Sequence, residues 1–314
     1  MAPVVTTGAR YRFMQRIDHV STSAQLFIVD VFTQHAFAGN PVAIVIPDTM
    51  PSDTRMQDFS RWIGMPETVF VLPTTQDERA AYSVRIWSPR CELPFAGHPS
   101  IGTAHLLLDH NRIDVSRGRF IQACPAGLID MRTEEVVSGK RRVWFTTPPV
   151  TVRPLRDDDA EAIVAALGPV AESSRVFIVE AGAKWLVLEL PDAVDIDRLE
   201  PVPDELDRLS RLHGAIGVTA FGKTRFDAAT DYEVRSFAPS IGVPEDAVCG
   251  GGNACAAALC AWLNNWRPGS ATQVASQGMH LGRSGRIFWK GPDAAHRIEI
   301  GGCAIIVSEG SLRL

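Results

Sequence analysis

The sequence predicts two copies of one α/β domain facing each other across a cleft, and three observations carry that prediction. The chain has 314 residues, more than the roughly 100 to 200 of an ordinary single domain. Short β-branched and aromatic runs alternate with helical stretches in both halves. A glycine turn feeding a helix of small and apolar residues occurs twice, at Gly97 and at Gly250, and the step of 153 residues is close to half the chain.

The first half begins with Leu26 to Phe32, a β-branched and aromatic run. It turns at Gly39-Asn40-Pro41 and resumes at Val42 to Ile46 as the second member of a strand pair. Pro51-Ser52-Asp53 caps a helix whose Met56, Phe59, Trp62 and Ile63 form one core-facing apolar stripe, closed by Gly64. Strands follow at Val69 to Leu72 and Tyr82 to Trp87. Pro94 to Pro99 is then a turn, and Ile101 to Leu108 continue as a buried helix, which puts His98 at a helix N-terminus. Arg119 to Cys124, Leu128 to Arg132 and Val143 to Thr146 complete the half, and Thr147-Pro148-Pro149 breaks the pattern.

The second half repeats the plan. Asp157 to Leu167 and Pro203 to His213 read as helices, with strands at Arg175 to Val179, Trp185 to Leu190, Ala215 to Ala220 and Tyr232 to Phe237. Cys249-Gly250-Gly251-Gly252-Asn253 then opens a second apolar helix, Ala254 to Trp262. The expected organisation is a flexible lead-in over 1–24, an N-terminal domain over 25–147 with the C-terminal segment 309–314 as a candidate completing strand, and a C-terminal domain over 148–308.

Composition narrows the partners. With 46% hydrophobic and 21% charged residues the chain can bury a core. Its 36 acidic against 31 basic side chains give a net charge of −5, so the basic excess that counterion release from nucleic acid requires is missing. No run approaches the roughly 20 apolar residues of a membrane helix, and the first two dozen residues do not read as a secretory signal. Six cysteines without a Cys-x-x-Cys pair point to a reducing, cytoplasmic setting.

The two glycine turns are the first chemical candidates. Amides in a helix's first turn lack intrahelical acceptors and lie at the positive end of its dipole, so they suit a carboxylate or oxyanion. Gly97, Pro99 and Ser100 at one entry, and Gly250, Gly251, Gly252 and Asn253 at the other, could hold one small anionic substrate from two sides. The alternative is that the glycines only let two central helices pack closely. Titratable groups stand nearby. His98 could exchange a hydrogen bond with substrate or merely cap its helix. Glu67, just before an apolar strand, is either a half-buried acid with a raised pKa or a solvated loop acid. Asp246 either binds substrate or caps the next helix. Cys249, at a helix start, is a candidate thiolate or a buried apolar residue.

Other chemistries lack their motifs. No Gly-x-Gly-x-x-Gly follows a strand, and Walker, His-Glu-x-x-His and Gly-x-Ser-x-Gly patterns are missing. His98 and His105, seven apart on one helix, are separated by about 10.5 Å, too far to share a metal. No metal site is expected.

A set of motifs in order resembles a known family. Val29-Asp30-Val31-Phe32-Thr33 with Phe37-Ala38-Gly39-Asn40-Pro41, Glu67-Thr68-Val69-Phe70, Glu92 to Pro99, Arg235 to Pro239 leading into Glu245 to Gly250, and Gln277-Gly278 with Gly282-Arg283 resemble the PhzF family. That family is the phenazine-biosynthesis isomerase group of the diaminopimelate epimerase-like superfamily. The resemblance implies an α+β fold: two pseudo-symmetric domains, each a curved, mostly antiparallel sheet wrapped around a central helix, commonly forming a homodimer. It implies a cofactor-free isomerase that moves a proton and double bonds in a small cyclic amino acid such as dihydro-hydroxyanthranilate. Glu67 matches the family's acid/base, His98 and Asp246 match groups that bind and orient substrate, and Asn40, in a shared motif, is expected to bind substrate. Two departures stand out: Ala247 replaces the usual Pro, and Cys-Gly-Gly-Gly-Asn replaces the more frequent Thr-Gly-Ser-Ala-His. In the epimerase branch a cysteine precedes each glycine entry; Cys249 fills the second position and Ala96 the first. A racemase would therefore need Glu67 and Cys249 as its two bases, and a metabolite-binding protein could retain the same cleft without catalysis.

Overall fold

The computed structural model describes residues 23–72, 77–113, 115, 118–136, 140–169, 174–224 and 229–314. Most of the lead-in expected over 1–24 lies outside the described residues, and its last two, Ser23 and Ala24, already belong to the first strand.

The N-terminal half runs β1 (Ser23–Val31), β2 (Asn40–Pro47), α1 (Asp53–Ile63), β3 (Thr68–Val71), β4 (Tyr82–Trp87), β5 (Glu92–Leu93), α2 (Gly97–Asp109), β6 (Arg119–Cys124), β7 (Gly127–Val136) and β8 (Lys140–Thr146). The C-terminal half continues with β9 (Thr151–Pro154), α3 (Asp157–Ala166), β10 (Val176–Glu180), β11 (Lys184–Leu190), α4 (Ala193–Asp197), α5 (Pro203–Leu212), β12 (Val218–Lys223), β13 (Tyr232–Ala238), β14 (Val243–Asp246) and α6 (Gly250–Leu263). It closes with β15 (Gln273–Gln277), β16 (Gly285–Lys290), β17 (Glu299–Gly302) and β18 (Ala304–Arg313).

Strand pairing shows the duplication directly. In the first half β1–β2 is antiparallel, β2–β3 parallel, β3–β4 antiparallel, β4–β6 parallel, and β6–β7–β8 antiparallel. The second half repeats this sequence of orientations as β10–β11, β11–β12, β12–β13, β13–β15 and β15–β16–β17. The halves also exchange end strands. β18 from the C-terminus pairs with β1, and β9 pairs with β10, while β8 and β17 join the two sheets edge to edge. The completing strand is longer than the six residues the sequence suggested, because the apolar run at Ala304 to Val307 belongs to the same element.

Each half wraps its sheet around one helix. α2 packs on β1, β2, β8 and β18, and α6 on β10, β11, β12 and β16. Both are buried on nearly every face, as expected of helices that are apolar all round rather than along one stripe. α1 lies outside. There Met56 and Phe59 are buried, but Trp62 is 77% exposed, against the stripe read from the sequence. The buried face is set by Met56, Phe59 and Ser60, spaced three and four apart. Trp62 falls on the flank, its ring tilted against Phe59.

The two central helices meet end on. A Cβ on Gly250 would stand 3.0 Å from the His98 backbone nitrogen and 3.1 Å from Gly97 Cα. A Cβ on Gly97 would reach the Phe145 ring at 2.8 Å and Gly250 Cα at 3.2 Å. Because neither backbone can step aside, Gly250→Ala is expected to lose about 1–3 kcal/mol through overpacking, although alanine is ordinarily the better helix former. Gly310→Ala, with nothing within 4 Å of the added carbon, is the control. Thermal denaturation should show a clear drop in Tm for the first variant and almost none for the second.

Candidate active site

Around that contact the chain gathers side chains from both halves. Gly64 ends α1 in a left-handed conformation (φ 68°), and Met65-Pro66 carries the chain to Glu67. Its carbonyl accepts from the Ala43 amide of β2, at the start of β3. His98 is the second residue of α2, and its Nε2 stands 3.4 Å from Glu67 Oε2. The two atoms are in ion-pair range but not aligned for a hydrogen bond, and neither has a hydrogen-bond partner among the described residues. Both side chains are almost wholly buried. Unpaired polar atoms at such depth are costly unless a ligand completes them.

Asp246 ends β14. Its Oδ1 accepts from Asn40 Nδ2 at 2.7 Å; the same amide nitrogen donates to the Val248 carbonyl at 3.0 Å and lies 3.4 Å from His98 Nδ1. Asn40 therefore stitches the histidine of one half to the carboxyl of the other. The helix-capping role considered for Asp246 belongs to Cys249, whose Sγ accepts from the Gly252 amide at 3.2 Å. Gln277, a motif residue to which the sequence assigned no role, braces this entry. Its Oε1 accepts from the Cys249 amide (3.0 Å) and Asn253 Nδ2 (2.7 Å), and its Nε2 donates to the Asp246 carbonyl (3.0 Å).

Between the halves lies a cavity of about 360 Å³. Glu67, His98, Asp246, Cys249, Gly97, Gly250 and Gly251 line it, and its walls are mostly apolar, including Leu93, Phe95, Phe145, Trp185 and Ile216. Phe95 and Phe145 meet edge to face at 5.3 Å. Other residues expected to bind substrate do not line it. Ser100 Oγ donates to the Ala96 carbonyl and accepts from Gln122 Nε2. Asn253 spends its amide on Cys249, Gln277 and Trp289. Gly252 packs against the Thr219 and Ser236 hydroxyls, Pro99 is buried in the first turn of α2, and Asn40 acts behind Asp246. These positions hold the helix entries in place because core packing claims them. Of the two rival readings of the glycines both apply, residue by residue: Gly97 and Gly250 allow close packing while also facing the cavity, and Gly252 serves packing and the Cys249 cap.

A model of a family described as Phenazine biosynthesis-like protein matches residues 29–310. The chain belongs to this family. Antisense-enhancing sequence 1 of Schizosaccharomyces pombe is 35% identical over 261 residues, 81% of this chain and 86% of its own length. Trans-2,3-dihydro-3-hydroxyanthranilate isomerase of Pseudomonas aeruginosa is 28% identical, covering 90% of this chain and 97% of its own length. The crystal structure of the Bacillus anthracis phenazine biosynthesis protein of the PhzF family shares the fold, with a TM-score of 0.81 at 19% identity over 93% of this chain and 99% of that one.

In this PhzF-family site, burial governs protonation. It raises Glu67 well above the ordinary carboxyl range, and the nearby Asp246 charge adds to the effect. It pushes His98 down to about 3, so the imidazole is neutral. Asp246 is also raised by burial, although the Cys249 thiol, the Val248 amide and Asn40 pull it back. Of the two readings of Cys249, burial favours the neutral thiol. Burial and the Asp246 charge push its thiol well above 9, outweighing the helix end that would favour the anion.

The signs separate in a stability experiment. A carboxyl raised in the folded state contributes its stability below the unfolded pKa near 4.5 and loses it as pH rises; depressed His98 does the reverse, losing stability as pH falls below 6.5. Glu67→Gln mimics the neutral acid. Its Tm should match that of the parent near pH 4.5 and exceed it increasingly toward pH 8, by at most about 1.4 kcal/mol per pH unit. A constant difference across that range would contradict a buried, raised Glu67.

Proposed function

We propose that the chain is a cofactor-independent isomerase that relocates a proton, and with it the double bonds, in a small cyclic amino or carboxylic acid of the dihydro-hydroxyanthranilate type, with Glu67 as the acid/base. The observation that carries this reading is the unpartnered Oε2 of Glu67, buried beside neutral His98 in an apolar cavity where two helix N-termini converge.

A carboxyl raised toward neutrality is a stronger base than an ordinary carboxylate, and burial favours the state in which it has taken a proton. Once protonated it can return that proton at another carbon of the same conjugated system, so one group serves both halves and the composition of the substrate is unchanged. While the proton rests on Glu67, the charge left on the substrate's carboxyl-conjugated framework faces the first-turn amides of α2 and α6. His98 and Asp246 position the reacting face.

The racemase alternative needs a proton carrier on each side of one carbon. The candidates are Glu67 and Cys249, with Ala96 standing at the mirror position of the cysteine. Isomerisation needs Glu67 alone, whereas racemisation also needs Cys249 as a base in one direction, and burial with the Asp246 charge holds that thiol well above its ordinary range. A homodimer in a cytoplasmic setting accompanies the proposal on the strength of the family resemblance and of six free cysteines.

With trans-2,3-dihydro-3-hydroxyanthranilate as the first substrate tried, Glu67→Gln is expected to lower kcat about 10²- to 10⁴-fold. The rising limb of kcat/KM against pH should lie above the ordinary carboxyl range. Undiminished turnover by the variant would refute the assignment. Mass spectrometry of candidate amino acids incubated in deuterium oxide separates the rivals: label at Cα of an otherwise unchanged compound means racemisation, and tight binding without exchange or turnover across a broad panel means a binding protein.

A further inference from the structure

Besides Glu67 Oε2 and His98 Nε2, the cavity contains a third unpartnered polar group, on the side opposite Glu67 in the pseudo-symmetry. Trp185, on β11, is 3% exposed and lines the cavity, and its Nε1 has no hydrogen-bond partner among the described residues. An indole nitrogen is a donor only, so what completes it must present an acceptor. The ring is wedged in place: a Cβ on Gly217 would strike its Cζ3 at 2.9 Å, and a Cβ on Gly251 would stand 3.3 Å from Nε1. Gly251 thus leaves free the space beside the N–H, at the first turn of α6. Its own amide and that of Gly250 precede any intrahelical acceptor.

The strand registers show how this arrangement departs from symmetry. Val29 pairs with Val42 as Val179 pairs with Trp185, so Val42 holds the equivalent place in the first half and offers no donor. Conversely, β3 and β12 align so that Glu67 corresponds to Gly217, the residue whose missing side chain is filled by the indole. One half carries the acid/base and the other carries the donor. No lysine or arginine lies among the described lining residues, so neutral N–H groups must recognise any anion that enters.

We infer that Trp185 Nε1–H, together with the Gly250 and Gly251 amides, forms a three-donor cradle for the substrate's carboxylate, making Trp185 a specificity-determining residue that fixes which end of the substrate faces the C-terminal half. This rests on the cavity being the substrate site, as proposed above. The cradle selects monocarboxylates with a flat apolar body, the carboxylate at α6 and the reacting carbons toward Glu67.

Trp185→Phe keeps an aromatic ring and removes the donor. The probe is 3-hydroxyanthranilate, with 2-aminophenol as its carboxylate-free counterpart, and binding is measured by calorimetry on folded full-length protein. The variant should bind the carboxylate about 10- to 100-fold more weakly, the range of a lost hydrogen bond to a charged acceptor, while its affinity for 2-aminophenol should be unchanged. In ¹⁵N-labelled protein, the indole N–H resonance missing from the variant should shift downfield when the carboxylate binds. Equal binding of 3-hydroxyanthranilate by both proteins, or equal weakening toward both probes, would overturn the cradle while leaving the cavity as the site. Failure of the unaltered protein to bind 3-hydroxyanthranilate would instead remove the reading of the cavity on which the cradle depends.

Discussion

Where α2 meets α6, Gly97 and Gly250 bring two helix N-termini into backbone contact, and a methyl group on either would press into the other's first turn. Two positive dipole ends converging in a buried place repel one another unless negative charge lies between or beside them. The chain supplies the contact sterically, with glycines, and places the Glu67 and Asp246 carboxyl groups, both raised by burial, in the same cavity. The same convergence makes the cavity suit an anion although no cationic side chain is among its described lining residues. The sheets follow from it: each half curves around the helix that must reach this point, and the edge pairing of β8 with β17 holds the halves in register.

Around the helix ends, polar groups divide into those satisfied by the protein and those left open. The amide nitrogen of Asn40, with Gln277, Asn253 and Ser100, is engaged in hydrogen bonds that brace Asp246, Cys249 and both helix entries. Glu67 Oε2, His98 Nε2 and Trp185 Nε1 are buried with no such partner. An interior ordinarily pairs its polar atoms, and these three belong to residues that line one cavity.

Much of this plan was legible in local sequence. Most of the strands and helices expected between Leu26 and Trp262 appear, because their hydrophobic periods and Gly or Pro punctuation are local signals. The 153-residue step between glycine turns corresponds to a real repeat of strand orientations. Trp62 was misread because a spacing of three from Phe59 fits either edge of a stripe, and only the docking of α1 chooses the edge. Cys249 was left open between thiolate and buried thiol for a related reason: a helix start lowers a thiol pKa, but the depth of burial and the nearby Asp246 carboxyl are properties of the folded site. Gln277 carried a motif signal without a role, since its three partners lie 24 to 31 residues away in sequence.

The sequence by itself determined the duplicated α+β architecture, the glycine entries and the identities of Glu67, His98 and Asp246, because each is written in short-range pattern or in motif. Only the tertiary structure decided which of these face the cavity, which protonation states they take and which buried donors remain open. Desolvation and hydrogen-bond completion depend on residues brought together from both halves of the chain, as Asn40 is to Asp246 across 206 positions. No local stretch of sequence contains that information.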